Sequence, residues 1–313
     1  MMNHWMILLL FLLSFQSKGQ QKPIVPEVSI EYRVNDTLEI QVNLIQDQKT
    51  SAYFYHTFLA TDICNDKVCL PIQVELFWNL MGEYDHFSVP QGQVFTKFDH
   101  QYFDQTDYDL LQEILLDTLS PIRDYAVEEF LDKKEQKYSV ELDAITRPTL
   151  KVFSNVTVPG ALYTVYALWH IVNGNIKQLI RNQLDVVYKQ HQFADFFATS
   201  NNASYQEYYL EKLTGDQVVA AEPILVRLLF SHDDYIPHYA WRKLGAAYYA
   251  DPERYNNLLK DLEKLKPHLQ LVVLRSLSQP NLRTKEILMD KAQSKTLLQN
   301  QKELIYKLLN YEK

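Results

Sequence analysis

Between Leu38 and Leu80 the chain repeats with a period of two. Leu38, Ile40, Val42 and Leu44 alternate with Glu39, Gln41 and Asn43. Further on, Ile72, Val74, Leu76, Trp78 and Leu80 alternate with Gln73, Glu75 and Asn79. Successive side chains of an extended chain point to opposite faces, so this pattern predicts strands with one apolar and one wet face. Residues 28–34 and 52–62 supply two further extended runs, and Asn35-Asp36 between the first two is turn chemistry. The four segments read as two hairpins of a small antiparallel sheet.

From about residue 175 the alternation disappears. Residues 216–230, 234–250, 252–265 and 297–309 carry apolar side chains at helical spacing, broken at Ser231-His-Asp-Asp, Asp251-Pro252 and Gln279-Pro280. Seven glycines in 313 residues, against a usual ~7%, also favour helix over Gly-rich phosphate loops. The expectation is α+β: a small antiparallel sheet with helices over 24–174, then an all-α region over 175–313. Paired helices with short breaks give that region a HEAT-like look. The boundary falls somewhere between Gly174 and Gln190.

Three helix or strand boundaries in the first half can be read locally. Thr106-x-x-Asp109 resembles a capping box ahead of Leu110, Leu111, Ile114 and Leu115. Residues 138–145 read as one strand. Pro159 suits the first turn of a helix that Asn173-Gly174 would close with a left-handed residue.

Residues 1–19 contain the apolar run Trp5-Met-Ile-Leu-Leu-Leu-Phe-Leu-Leu-Ser14, too short to cross a bilayer and followed by polar residues. This reads as a signal peptide, so the mature chain is expected outside the cytoplasm, periplasmic or secreted. No later stretch approaches membrane length, which predicts no membrane span in the mature chain. A net charge of -8 argues against nucleic acid, whose phosphates need clustered cations. In an oxidising compartment Cys64 and Cys69, five positions apart, are expected to form a disulfide across a hairpin loop.

The familiar catalytic signatures are missing: no G-x-S-x-G, no H-E-x-x-H, no P-loop, no dinucleotide fingerprint. Asp99 and His100 have the residue types of a base with its orienting carboxylate, yet no nucleophile sits beside them, and a polar loop leading into a helix explains them as well. His232, Asp233, Asp234 and His238 are metal-ligand types, but Ser and Asp ahead of a helix are ordinary caps. Neither group is assigned a catalytic or metal role.

The stretch Asp143-Ala-Ile-Thr146-Arg147-Pro148-Thr149 resembles the motif of the FMN-binding domain family, D-x-x-[ST]-G-A-[TS]. Asp143, Thr146 and Thr149 match; Arg147 and Pro148 stand where the family has Gly and Ala. The surroundings are similar to exported bacterial proteins that add a C-x(4)-C hairpin, a T-K-x-D-H segment (Thr96 to His100) and a V-x-G-A-x-Y-T-x-x-x-L-W-H helix (Val158 to His170). The resemblance covers roughly residues 50 to 175.

It implies an extracytoplasmic electron-transfer or accessory module with FMN esterified to Thr149, and with Asp143 and Thr146 beside it. Arg147 adds bulk and Pro148 stiffens the backbone where the family has its smallest residues, which hinders flavin attachment. Arg147 also has the fork of donors that would hold a phosphate without a covalent bond. The alternative is a non-catalytic exported protein whose helical array binds a protein partner. Tyr248, Tyr249 and Tyr255 near the helix breaks would suit such a surface, or simply fill the space between helices.

Overall fold

The computed structural model describes residues 24–61, 72–97, 101–131, 137–138, 145–146, 149–150, 153 and 155–309. The apolar N-terminal run, Cys64, Cys69, Asp99, His100, Asp143, Arg147 and Pro148 lie outside the described residues. Two compact units divide the chain, Met1–Asp185 and Val186–Lys313.

The first unit is built on a five-stranded antiparallel sheet in the order β1-β2-β3-β4-β5. Its strands are β1 (Ile24–Arg33), β2 (Glu39–Gln46), β3 (Tyr53–Thr61), β4 (Ile72–Trp78) and β5 (Tyr84–Ser88). Asn35 closes the first hairpin because its side-chain oxygen accepts from the Thr37 N–H at 2.9 Å and the Leu38 N–H at 2.8 Å. The register sets Ile30 opposite Val42, Leu44 opposite Tyr55 and Tyr55 opposite Trp78, so the alternation merges into one apolar face. Val42, Leu44, Val74, Leu76 and Trp78 on that face are fully buried.

Helices α1 (Gln105–Leu116) and α2 (Leu162–Val172) belong to the same unit. The α1 cap is Asp104, not Thr106: its carboxylate accepts from the Asp107 N–H at 3.0 Å, and Asp107 returns a bond to the Asp104 N–H at 2.9 Å. The box is thus two residues earlier than the sequence pattern suggested, because an ionised carboxylate completes both halves of it. Likewise α2 begins at Leu162 and not at Pro159, since Gly160 turns with φ +78°.

The predicted strand 138–145 is instead two short ones, β6 (Lys137–Tyr138) and β7 (Ile145–Thr146), with Tyr138 paired to Ile145. Pairing gives each segment a hydrogen-bonding partner that a lone strand would lack.

Sheet and helices are joined through helix ends. The last carbonyls of a helix have no partner within it. Tyr32 Oη donates to the Ile171 carbonyl at 3.2 Å, and Trp78 Nε1 donates to the Val172 carbonyl at 2.9 Å, so the sheet caps α2. Asn173 Nδ2 in turn donates to the Leu115 carbonyl at 3.0 Å, capping α1. Gly174 is not left-handed; a Cβ there would sit 2.3 Å from Tyr32 Oη and 2.6 Å from the His170 carbonyl. Space, rather than φ, requires this glycine.

Helix α3 (Ile176–Gln190) leads into the second unit, whose regular elements among the described residues are all helices. Its elements are α4 (Ala194–Thr199), α5 (Ala203–Lys212), α6 (Asp216–Ala220), α7 (Glu222–Leu228), α8 (Ile236–Ala250), α9 (Pro252–Lys260), α10 (Pro267–Arg275), α11 (Leu282–Ala292) and α12 (Gln299–Leu309). Contacts run α4 to α5, α5 to α8, α8 to α7 and α9, α9 to α11, and α12 to α10 and α11. The single helix expected over 216–230 is broken at Ala221, two residues before Pro223, whose ring lacks the N–H a helix interior needs. Tyr248 and Tyr255 are buried, and Tyr249 stacks on Trp241 at 4.2 Å, so these tyrosines fill the interior of the unit rather than furnish a surface.

Among the described residues no helix is long and apolar enough to cross a membrane. The chain is α+β with an all-α C-terminal region.

Candidate functional site

Of the four residues expected to hold FMN, two lie on described backbone. Thr146 is the second residue of β7 and pairs with Lys137. Thr149, half-buried, forms an antiparallel bridge with Leu131. The next residue extends that pairing, since the Leu150 N–H donates to the Phe130 carbonyl at 2.8 Å. Asp143 and Arg147 lie outside the described residues.

Leu131 follows a 3-10 turn, Val127–Phe130, whose Phe130 meets several aromatic rings from elsewhere in the unit. Phe130, fully buried, lies 4.5 Å from the ring of Phe153 and 6.1 Å from that of Tyr125. Tyr166 from α2 approaches Phe130 at 6.3 Å and His170 at 4.4 Å. Tyr166 Oη donates to the Tyr125 carbonyl at 3.2 Å, tying α2 to the turn. Residues 162, 165, 168, 169 and 172 turn the apolar side of α2 inward, which leaves Tyr166 and His170, four positions apart, on the side that meets these rings.

The electrostatics of this corner favour neutral groups. Burial, followed by the charges of Glu128 and Glu129, raises the Tyr166 hydroxyl above its ordinary value. Burial lowers His170, and a hydrogen bond to the Ile122 backbone opposes that shift in part. His170 Nε2 is buried and has no hydrogen-bond partner. Such an atom forgoes roughly 1–3 kcal/mol of solvation unless a polar group reaches it. The corner therefore combines several packed rings with one orphaned imine nitrogen.

The other sequence candidates resolve differently. Asp233 Oδ1 accepts from the Tyr235 N–H at 2.7 Å and the Ile236 N–H at 2.9 Å, so it is spent on capping the start of α8. Asp234 is paired with Lys266, and His238 stacks on His268 at 4.2 Å. These side chains do not converge, and among the described residues no group of three or more His, Cys, Asp or Glu is arranged to hold a metal ion. Beside Asp99 and His100, Lys97 pairs with Asp107 of the α1 cap at 2.7 Å.

The aromatic corner was not anticipated. Tyr125, Phe130, Phe153, Tyr166 and His170 are scattered over 46 positions, from 125 to 170; the one local signal was the spacing of Tyr166 and His170 on an otherwise apolar helix. Compared with family models, with curated proteins and with solved structures, the chain matches none.

Proposed function

We propose that this chain is an exported module similar to FMN-binding domains, acting as an accessory or electron-transfer component whose helical unit binds a protein partner. The observation that carries the reading is the antiparallel bridge between Thr149 and Leu131, which pairs the backbone of the last motif position with the residue that follows Phe130. Thr149 would hold the flavin phosphate, with Thr146, Asp143 and Arg147 as its polar neighbours. Phe153 and Tyr166, each partly exposed above the buried Phe130, would supply ring surface for a planar ligand. When bound, FMN supplies the capacity to accept and pass on electrons; the chain's own residues bind it, orient it and limit its access to water.

The test is export of the full chain from a host that supplies a flavin transferase, followed by a visible spectrum of the purified protein. A flavin spectrum that survives denaturation supports covalent attachment, and one lost on denaturation supports binding through Arg147. A colourless protein that retains a partner through residues 186–313 would replace this reading with the non-catalytic one.

A further inference from the structure

We propose that the stacked rings of His238 and His268 form an acid-sensitive latch in the helical unit, joining the first turns of α8 and α10 at neutral pH and releasing them in acid. The rings lie 4.2 Å apart with planes 15° from parallel. His268 is exposed and covers His238, whose Nε2 is buried with no hydrogen-bond partner. Two neutral imidazoles stack without penalty, whereas two imidazolium ions at this separation repel. Both residues also sit in the first turn of their helices, at Ile236–Ala250 and Pro267–Arg275. There the exposed N–H groups carry partial positive charge and disfavour a cation.

The charges around the pair offset this only in part. Lys266 adds a further cation, and it pairs with Asp234 while also donating to the His232 carbonyl at 2.6 Å. Asp234 lies below its ordinary value because of the Lys266 hydrogen bond and charge, with a smaller contribution from His268. Arg242, one turn along α8, is directed over the Tyr239 ring at 5.2 Å. From packed neighbours, the neutral side chain of Gln206 in α5 bonds Ser231, and that of Gln301 in α12 bonds the Pro267 carbonyl.

Burial, and then the charge of His268, lower His238 from its ordinary 6.5. The open form therefore binds the proton more tightly than the latched form. Stability of this corner is complete above about pH 6.5 and falls as the pH drops toward the lowered value of the latched form.

The test is hydrogen exchange of the full chain, corrected for intrinsic rates, at about pH 7.5 and about pH 5. Peptides spanning the first turns of α8 and α10 should lose protection about tenfold or more at the lower pH, while the β2–β3 region serves as the internal reference. His268→Gln keeps a planar polar side chain without the second charge and should remove most of that acid response, with protection at the higher pH preserved. An equal acid response in His268→Gln, or none in the wild type, would overturn the proposal. Should the variant fail to fold, the His238 ring titration by NMR in the wild-type chain decides: an ordinary value overturns the latch, and a lowered one supports it.

Discussion

Trp78 Nε1 donates to the Val172 carbonyl at 2.9 Å across 94 positions of sequence. That single bond joins the central apolar face of the sheet to the last turn of α2, and both groups are buried. Trp78→Phe keeps most of the ring but leaves the carbonyl without a donor, which costs about 1–3 kcal/mol. Chemical denaturation should show this as a lower midpoint with an unchanged slope. A midpoint equal to wild type would mean that the bond contributes nothing net.

Gly174 and Tyr32 should be coupled. Gly174→Ala drives a Cβ to 2.3 Å from the Tyr32 hydroxyl, which burial has already pushed up to about 12 in pKa. A loss of about 2 kcal/mol or more is expected from overpacking of this kind. Tyr32→Phe removes the hydroxyl, so the double variant should be less destabilised than the sum of the two single ones. Simple additivity would show that the His170 carbonyl, at 2.6 Å from the same Cβ, is the real obstacle.

Gly245 is a different case. It interrupts α8 with φ +69° and ψ -179°, yet a Cβ there would meet nothing within 4 Å. The penalty of Gly245→Ala is therefore torsional, about 1–3 kcal/mol for a conformation that is essentially confined to glycine. Tyr249 bridges the break by donating to the Trp241 carbonyl at 2.6 Å. Thermal melts of Gly245→Ala should show destabilisation; a stabilised variant would mean that α8 straightens at no cost.

Asp107 should carry a pH dependence. Burial raises its carboxyl, but the Lys97 hydrogen bond, the Asp104 N–H and the Lys97 charge together hold it below its ordinary 3.8. A lowered folded value means that stability is complete above about pH 4 and is lost as the pH falls through that value. Asp107→Asn should cost about 1 kcal/mol at neutral pH and progressively less in acid. An equal deficit at both ends would assign the loss to geometry rather than charge.

Much of the sheet was legible because Leu38 to Leu44 alternate strictly and Ile72 to Leu80 do so except at Phe77, and a one-residue slip would turn the alternating apolar side chains to the wrong face. Helices over 236–250 and 299–309 were likewise readable from spacing. Features that depend on distant partners were not. The reversal between Tyr138 and Ile145 needs each strand to find the other, and nothing within 138–145 signals it. Gly174 looked like a helix terminator, while its actual constraint comes from Tyr32, far away in sequence.

The same limit applies to the candidate site. Thr149 and Thr146 stood out as motif positions, but the rings packed on Phe130 come from Tyr125, Phe153 and Tyr166, which share no local pattern. His238 and His268 stack from the starts of two helices 30 positions apart. A sequence motif names residue types; only folding decides which of them meet.

The most direct measurement is peptide mass mapping of the mature protein exported alongside a flavin transferase, for wild type, Thr149→Ala and Thr146→Ala. The account predicts an added FMN mass on the peptide containing Thr149, retained in Thr146→Ala and abolished in Thr149→Ala. An unmodified peptide, with no flavin released on denaturation, would contradict it.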